Sequence, residues 1–133
     1  MIKSSILLVE DHEAFATALL SIVNKEEGMD VVAVVRTAED ALEKLADTQV
    51  DLVLVDVSLP RVSGIQLVSR IHEQYPELPC VMLSGHLSPE YVRRALDAGA
   101  RGYMIKDNPA GILAGIKHVF NGGIYVSKEL GEV

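Results

Sequence analysis

Residues Leu52 to Val55 form an unbroken apolar run, Leu-Val-Leu-Val, within the stretch Val50 to Pro60. Such a run is too short for a stable helix, and a strand with one wet face would alternate apolar with polar residues. It therefore reads as a strand buried on both faces. A sheet covered on both faces needs helices on each side, which confines the chain to layered α/β architectures. Asp56 follows the run directly. A carboxylate there stands either in an ordinary loop or at the carboxyl edge of a parallel sheet, where open α/β folds bind their ligands.

The chain on either side repeats the same unit. Ile6 to Val9 is a short apolar strand, and after Glu10-Asp11-His12 the apolar residues Phe15, Leu19, Leu20 and Val23 recur at helical spacing. Val31 to Val35 is a second β-branched run after Gly28, and Thr37 with Asp40 three residues on marks the start of a second helix through Leu42 and Leu45. After the turn Pro60 to Gly64, Ile65, Leu67, Val68 and Ile71 predict a third helix ending near Tyr75-Pro76. Cys80 to Leu83 is a fourth strand, and Ser88-Pro89 opens a helix carrying Tyr91, Val92, Ala95 and Leu96. Gly102 to Ile105 is a fifth strand. Asp107 to Pro109 opens a last helix with Ile112, Leu113, Ile116, Val119 and Phe120, closed by Asn121-Gly122-Gly123.

Five strand-then-helix units in succession imply a doubly wound parallel sheet with right-handed crossovers. A chain of 133 residues is expected to build this as one domain, and with 49% hydrophobic but only 5% aromatic residues its core must be aliphatic. The net charge of −7 argues against this domain gripping nucleic acid phosphates. A single cysteine, Cys80, excludes an internal disulfide framework and reads as a small core residue. With no signal peptide and no stretch approaching the roughly 18 apolar residues of a membrane span, a cytoplasmic protein without membrane contact is expected.

Parallel strands collect their carboxyl ends on one rim. Strand one ends at Glu10-Asp11, strand three at Asp56, strand four at Ser84 and strand five at Lys106. Singly, each reads as a solvated loop residue, but all four strand ends carrying groups that suit one chemistry points to a site. Three clustered carboxylates repel one another unless a cation neutralises them, and oxygen ligands of this kind suit Mg²⁺. A carboxylate beside Mg²⁺, an ammonium and a hydroxyl make a place to receive a phosphoryl group, with Asp56 as the nucleophile. No Gly-x-x-x-x-Gly-Lys loop is present to hold a nucleotide, so the expected donor is another phosphorylated molecule.

The segments Ile-Leu-Leu-Val-Glu-Asp-His at 6 to 12, Asp-Leu-Val-Leu-Val-Asp-Val-Ser-Leu-Pro at 51 to 60 with Gly64, Val-Met-Leu-Ser-Gly at 81 to 85, and Gly-Ala-Arg-Gly-Tyr-Met-Ile-Lys at 99 to 106 resemble the receiver domain of two-component response regulators. The resemblance covers nearly the whole chain. It implies the flavodoxin-like (βα)5 receiver fold, with five parallel strands in the order 2-1-3-4-5. It also implies that Asp56 is the phosphoacceptor, and that Asp11, Asp56 and the Ser58 carbonyl bind Mg²⁺, with Mn²⁺ as a substitute. Glu10 would reach the metal through water. Ser84 matches the switch hydroxyl, Lys106 the phosphate-pairing lysine and Tyr103 the switch aromatic, with Ser84 moving inward and Tyr103 rotating into the space it leaves. The implied partner is a sensor histidine kinase or a phosphotransfer protein. The domain would be a signalling switch that catalyses only its own phosphorylation and dephosphorylation.

The family usually has proline after the lysine, whereas Asp107 follows Lys106 here, as in the branch that carries a helix-turn-helix output. A cis peptide without proline costs roughly 2.5–4 kcal/mol, so none is assumed at Lys106-Asp107, and the sequence leaves its isomer open. Residues 124 to 133, Ile-Tyr-Val-Ser-Lys and onward, resemble the start of the linker to a LuxR-like DNA-binding domain, so residues 1 to 123 read as the receiver and DNA contact is expected only through a domain beyond this chain. His86 stands at the mouth of the site, either as a loop residue or as a modulator of the water that attacks the phosphoaspartate. His12 reads as a helix start, and His72 and His118 as solvated. Without the family, Tyr103 reads as a half-buried strand aromatic with a wet hydroxyl. Gly111 and Gly115 in the last helix each cost about 1 kcal/mol relative to Ala. That cost fits either close approach of a partner helix in a homodimer or neutral drift. The competing readings are a stand-alone receiver acting through protein contacts, a degenerate receiver that only binds, and a haloacid-dehalogenase-like phosphatase. The last would need a second acid at position 58, where the chain has Ser58.

Overall fold

The structure is a computed structural model and describes residues 3–85 and 88–127. The elements alternate as β1 (Ser4–Val9), α1 (Glu13–Asn24), β2 (Met29–Val35), α2 (Ala38–Asp47), β3 (Leu52–Asp56), α3 (Gly64–Gln74), β4 (Cys80–Ser84), α4 (Pro89–Asp97), β5 (Gly102–Ile105), α5 (Pro109–Phe120) and a short β6 (Tyr125–Val126). The sheet is parallel throughout, in the order β2-β1-β3-β4-β5-β6. The five expected strands stand in the expected order. The sixth lies outside β5, formed by residues that read as linker.

The side-chain period of the strands divides the core. Leu52 and Leu54 of β3 join Ile6 and Leu8 of β1 against α1 and α5, while Val53 and Val55 join Leu7 and Val9 against α2, α3 and α4. Each strand thus contributes alternate residues to two separate apolar layers, which is why the run shows no polar alternation. β2 is an edge strand. Val32 and Val34 are 39% and 40% exposed, and a register shift between Ile6 and Leu7 leaves Val32 unpaired, a bulge of the kind that twists an edge away from further pairing.

The helix starts follow capping chemistry. Thr37, Ser63, Ser88 and Asn108 each accept a hydrogen bond from the backbone three residues on, and the Ser63 amide donates in turn to Gln66 Oε1. Two alanines of α2, Ala38 and Ala41, are fully buried where sequence periodicity marked only Leu42 and Leu45. Tyr91 is 38% exposed and lies under the Arg94 guanidinium at 5.7 Å, so it belongs to the outer side of α4.

Gly115 packs inward. A Cβ there would overlap Met104 Cε and lie 2.8 Å from Tyr125 Cδ1. The residue gives α5 its seat on β5 and β6, so the partner-helix reading of this glycine is replaced by an intramolecular one. Gly111 faces its own cap residue, Asn108. No peptide bond among the described residues is cis. No helix of the described residues is long and apolar enough to cross a membrane.

Candidate functional site at the carboxyl edge of the sheet

The carboxyl ends of β1, β3, β4 and β5 meet on one rim, and the order β1-β3 at the centre places Glu10 and Asp56 side by side. Glu10 is 1% and Asp56 2% exposed, so both carboxyl groups sit below the surface. Lys106, from the end of β5, reaches across β4 to both. Its Nζ lies 2.8 Å from Glu10 Oε1 and 3.2 Å from Asp56 Oδ1. The contact with Glu10 is a close ion pair. The ammonium also stands 4.8 Å from the centre of the Phe15 ring, which shields it from water on one side.

The backbone fixes the two carboxylates. The His12 amide donates to Glu10 Oε2 at 3.1 Å, and the Ser58 amide donates to Asp56 Oδ1 at 3.1 Å. Asp56 Oδ2 is buried with no hydrogen-bond partner. A buried carboxylate oxygen left open is costly unless a cation or a donor completes it. Asp11 is exposed, and one donor atom from each of Glu10, Asp11, His12 and Asp56 lies within 4.8 Å of the others. The carboxylate oxygens suit a hard divalent cation such as Mg²⁺, and the open Asp56 Oδ2 supports that fit.

His12 is the N-cap residue of α1 and makes no side-chain cap bond, which leaves its ring near the acids. Sequence reading assigned it only to the helix start. Adjacency to Asp11 was the available signal, and without a second His or Cys at ligand spacing it pointed no further. Ser58 is exposed on the loop after β3. His86 lies outside the described residues.

Burial sets the electrostatics. Loss of water pushes the Glu10 carboxyl above its usual value of 4.5, the Lys106 ammonium pulls it back, and the Asp56 carboxylate pushes it up again. A carboxyl raised in the folded state favours folding below 4.5, and that contribution is lost as the pH rises through the folded value. Glu10→Gln is therefore expected to raise the melting temperature in EDTA at pH 7 by a few degrees, on the order of 1 kcal/mol. The gain should shrink as the pH falls toward 4.5. A gain that is the same at both ends of a melting series from pH 7 to pH 4.5 contradicts this account.

Ser84 is 1% and Tyr103 0% exposed. Tyr103 lies among the residues of the α2, α3 and α4 layer, and its hydroxyl is buried without a well-formed hydrogen bond. Burial raises its pKa, and the nearby Ser84 hydroxyl lowers it. This corrects the half-buried, wet reading of the ring: it occupies the inward position. Cys80 is buried and its thiol is pushed up to about 12, which leaves it unreactive and in its expected place in the core.

The loop after β3 returns tightly over the acid. The Gly64 amide donates to the Val57 carbonyl at 3.0 Å, and a Cβ on Gly64 would overlap the Asp56 carbonyl oxygen and lie 2.9 Å from Met82 Cε. Gly64→Ala is expected to cost about 1–3 kcal/mol by overpacking, measured by urea denaturation. A midpoint within error of the parent would mean that the loop relaxes freely away from Asp56.

Above the acids is a shallow cleft lined by His12, Phe15, Asp56, Ser58, Gly85 and Lys106. A larger hollow of about 430 Å³, lined by Leu45, Val50, Tyr75 and Leu78 among others, lies at the amino ends of β3 and β4 and holds none of these groups. Chemistry, not size, singles out the carboxyl rim.

The chain is similar to known proteins in sequence and fold. Residues 6–117 match the response regulator receiver domain family. The transcriptional regulatory protein DegU of Brevibacillus brevis is 30% identical over 125 residues, covering 93% of this chain and 53% of DegU. The transcriptional regulatory protein DesR of Bacillus subtilis is 32% identical over 129 residues, covering 96% of this chain and 64% of DesR. The chain thus spans little more than half the length of these relatives. A two-component response regulator of the LuxR family from Aurantimonas sp. SI85-9A1 superposes with a TM-score of 0.93 at 26% identity, over 96% of this chain and 92% of that one. A CheY-like receiver domain protein from Methanospirillum hungatei JF-1 superposes at 0.81 with 30% identity, over 90% and 95%. With a family match over most of its length and the sheet order of the receiver fold, this chain belongs to the response regulator receiver domains, a family of signalling domains.

Proposed function

We propose that this domain is a phosphorylation switch in which Asp56 takes a phosphoryl group from a phosphohistidine of a sensor kinase or phosphotransfer protein. The observation that carries the reading is the Lys106 ammonium held between Glu10 and Asp56, beside a buried Asp56 oxygen that has no partner. Asp56 Oδ2 attacks phosphorus as the bond between phosphorus and the donor's nitrogen breaks, and the electron pair leaves with the imidazole. The Ser58 amide and Lys106 hold the other Asp56 oxygen, so the nucleophile is oriented before the donor arrives. Lys106 and the Ser84 hydroxyl then meet the phosphoryl oxygens as charge builds on them. Asp11, Asp56 and the Ser58 carbonyl would hold Mg²⁺, with Glu10 acting through water. When bound, the ion neutralises the acids and offers the phosphoryl group a positive contact.

Reorganisation of Ser84 and Tyr103 passes the change to the surface formed by α4, β5 and α5. Because Tyr103 already lies inward, the change read out there is in its hydrogen bonding and in β5, more than a large ring swing. The output we infer is a helix-turn-helix domain beyond this chain, joined after β6, which belongs to the receiver sheet. Support comes from relatives named as transcriptional regulators, of which this chain matches 53% and 64%. DNA contact belongs to that domain. A homodimer remains part of the reading, without help from Gly115. The buried free Cys80 fits a cytoplasmic site of action.

Incubation with acetyl phosphate and Mg²⁺, followed by intact mass, tests the proposal. Uptake of one phosphoryl group, lost on adding EDTA, is expected. Repeated turnover of phosphoesters would instead support a phosphatase, and no labelling would support a domain that only binds partners.

A further inference from the structure

The chain after α5 returns to the sheet and grips β5. The Tyr125 amide donates to the Arg101 carbonyl at 3.0 Å and the Ser127 amide to the Tyr103 carbonyl at 3.0 Å. The pairing of Gly102 with Tyr125 and Tyr103 with Val126 sets Ser127 opposite Met104. If the ladder continued, the Ser127 main-chain carbonyl would accept from the Ile105 amide. Its side chain does so instead: the Ile105 amide donates to Ser127 Oγ at 3.1 Å. Ser127 is 3% exposed, so this bond is dry. The hydroxyl stands in for a backbone carbonyl at the point where β6 ends.

The two β5 groups held this way belong to Tyr103 and Ile105, and Ile105 directly precedes Lys106. On its other side, the Lys106 amide donates to the Ser84 carbonyl at 2.9 Å. The end of β5 is therefore pinned between Ser84 and Ser127, with the Lys106 side chain projecting to Glu10 and Asp56.

We propose that Ser127 is a positioning residue for the phosphoryl site: it latches β5 in the register that ties Lys106 to Glu10 and Asp56, and phosphorylation loosens that latch. The proposal rests on Asp56 being the phosphoacceptor. An acyl phosphate places its charged oxygens beyond the carboxyl group that Lys106 now holds, so Lys106 follows outward and draws on the Ile105 amide. β6, with two residues, both partly exposed, is the shortest strand of the sheet and the first to yield. Loosening the latch also alters how Lys106 is held against Asp56 before the donor arrives, so the Ser127 hydroxyl is expected to affect the labelling rate.

Hydrogen exchange on the full chain, with and without acetyl phosphate and Mg²⁺, tests this while intact mass reports the labelling. Exchange at the Ile105 and Ser127 amides is expected to quicken at least tenfold in the labelled protein, while the Leu54 and Val81 amides stay unchanged. Unchanged exchange at Ile105 and Ser127 in labelled protein overturns the latch. If no label is taken up, the phosphoacceptor reading falls and the latch with it. Ser127→Val and Ser127→Thr separate the hydroxyl from the bulk added at this buried position. The Val variant should exchange rapidly at Ile105 without phosphodonor and shift the labelling rate at least threefold from that of Thr. Equal labelling rates for the two overturn the proposal. The parent-protein exchange experiment stands even if neither variant folds.

Discussion

Asp56→Asn abolishes phosphoryl uptake from acetyl phosphate, with a fall of at least about a hundredfold, because an amide offers no anionic oxygen to attack phosphorus. The fold should survive. Asn keeps the shape of Asp and retains an oxygen to accept the Ser58 amide, now bonded to Asp56 Oδ1 at 3.1 Å. It also removes one of two buried carboxylates that share a single ammonium. In EDTA at pH 7 the variant is therefore expected to be at least as stable as its parent, by on the order of 1 kcal/mol, in urea denaturation. Labelling that persists in this variant would place the acceptor elsewhere. A collapse in stability would mean that Asp56 is there for structure.

Lys106→Met has the opposite signature. Its Nζ is 2.8 Å from Glu10 and 3.2 Å from Asp56, and its side chain is 16% exposed. Removing one member of a buried charge pair leaves the other uncompensated, at about 3–5 kcal/mol. Protonation relieves part of this, since the Glu10 carboxyl is already raised above 4.5 by burial and by Asp56. The loss should be about 3 kcal/mol in EDTA at pH 7 and smaller near pH 5. Added Mg²⁺ should restore part of it: a cation at a hundred times its dissociation constant contributes about 2.7 kcal/mol. Phosphoryl uptake should still fall at least about tenfold, roughly 1.4 kcal/mol, because the incoming group loses its ammonium contact. Full stability in EDTA, or uptake equal to the parent's, contradicts the role given to Lys106.

Much of this was legible because parallel strands convert sequence into position. Leu52 to Val55 shows no alternation since its odd and even residues enter different core layers, and the residue that ends such a strand lands on the rim. Glu10, Asp56 and Lys106, distant in sequence, could therefore be brought together on paper. Two helix starts were legible for the same kind of reason, since Thr37 and Ser88 each bond a specific orphan amide, while the caps Ser63 and Asn108 lie inside turns that the sequence marks only as helix openings.

What escaped reading depends on contacts that no local pattern encodes. β6 has two residues, too few for a period, and Asn121-Gly122-Gly123 before it reads only as the end of a helix. The inward placement of Tyr103 is set by the layer formed by α2, α3 and α4, while its sequence neighbours show only an apolar strand. Gly115 resembles a helix-contact glycine because glycine reports close approach without naming what approaches, which here is Met104 and Tyr125. Ser127 gave no signal at all, since its role comes from bonding the backbone of Tyr103 and Ile105.

Titration with Mn²⁺, a paramagnetic substitute for Mg²⁺, followed by amide NMR, goes most directly to the claim that one rim pocket binds the cation. The amides of Asp11, Val57 and Ser58 should broaden first, while those of Ser5, Asp51 and Cys80 at the opposite edge keep their line widths. Rim amides that stay sharp at saturating Mn²⁺, or first broadening around Glu39, Asp40 and Glu43 on α2, would contradict the account.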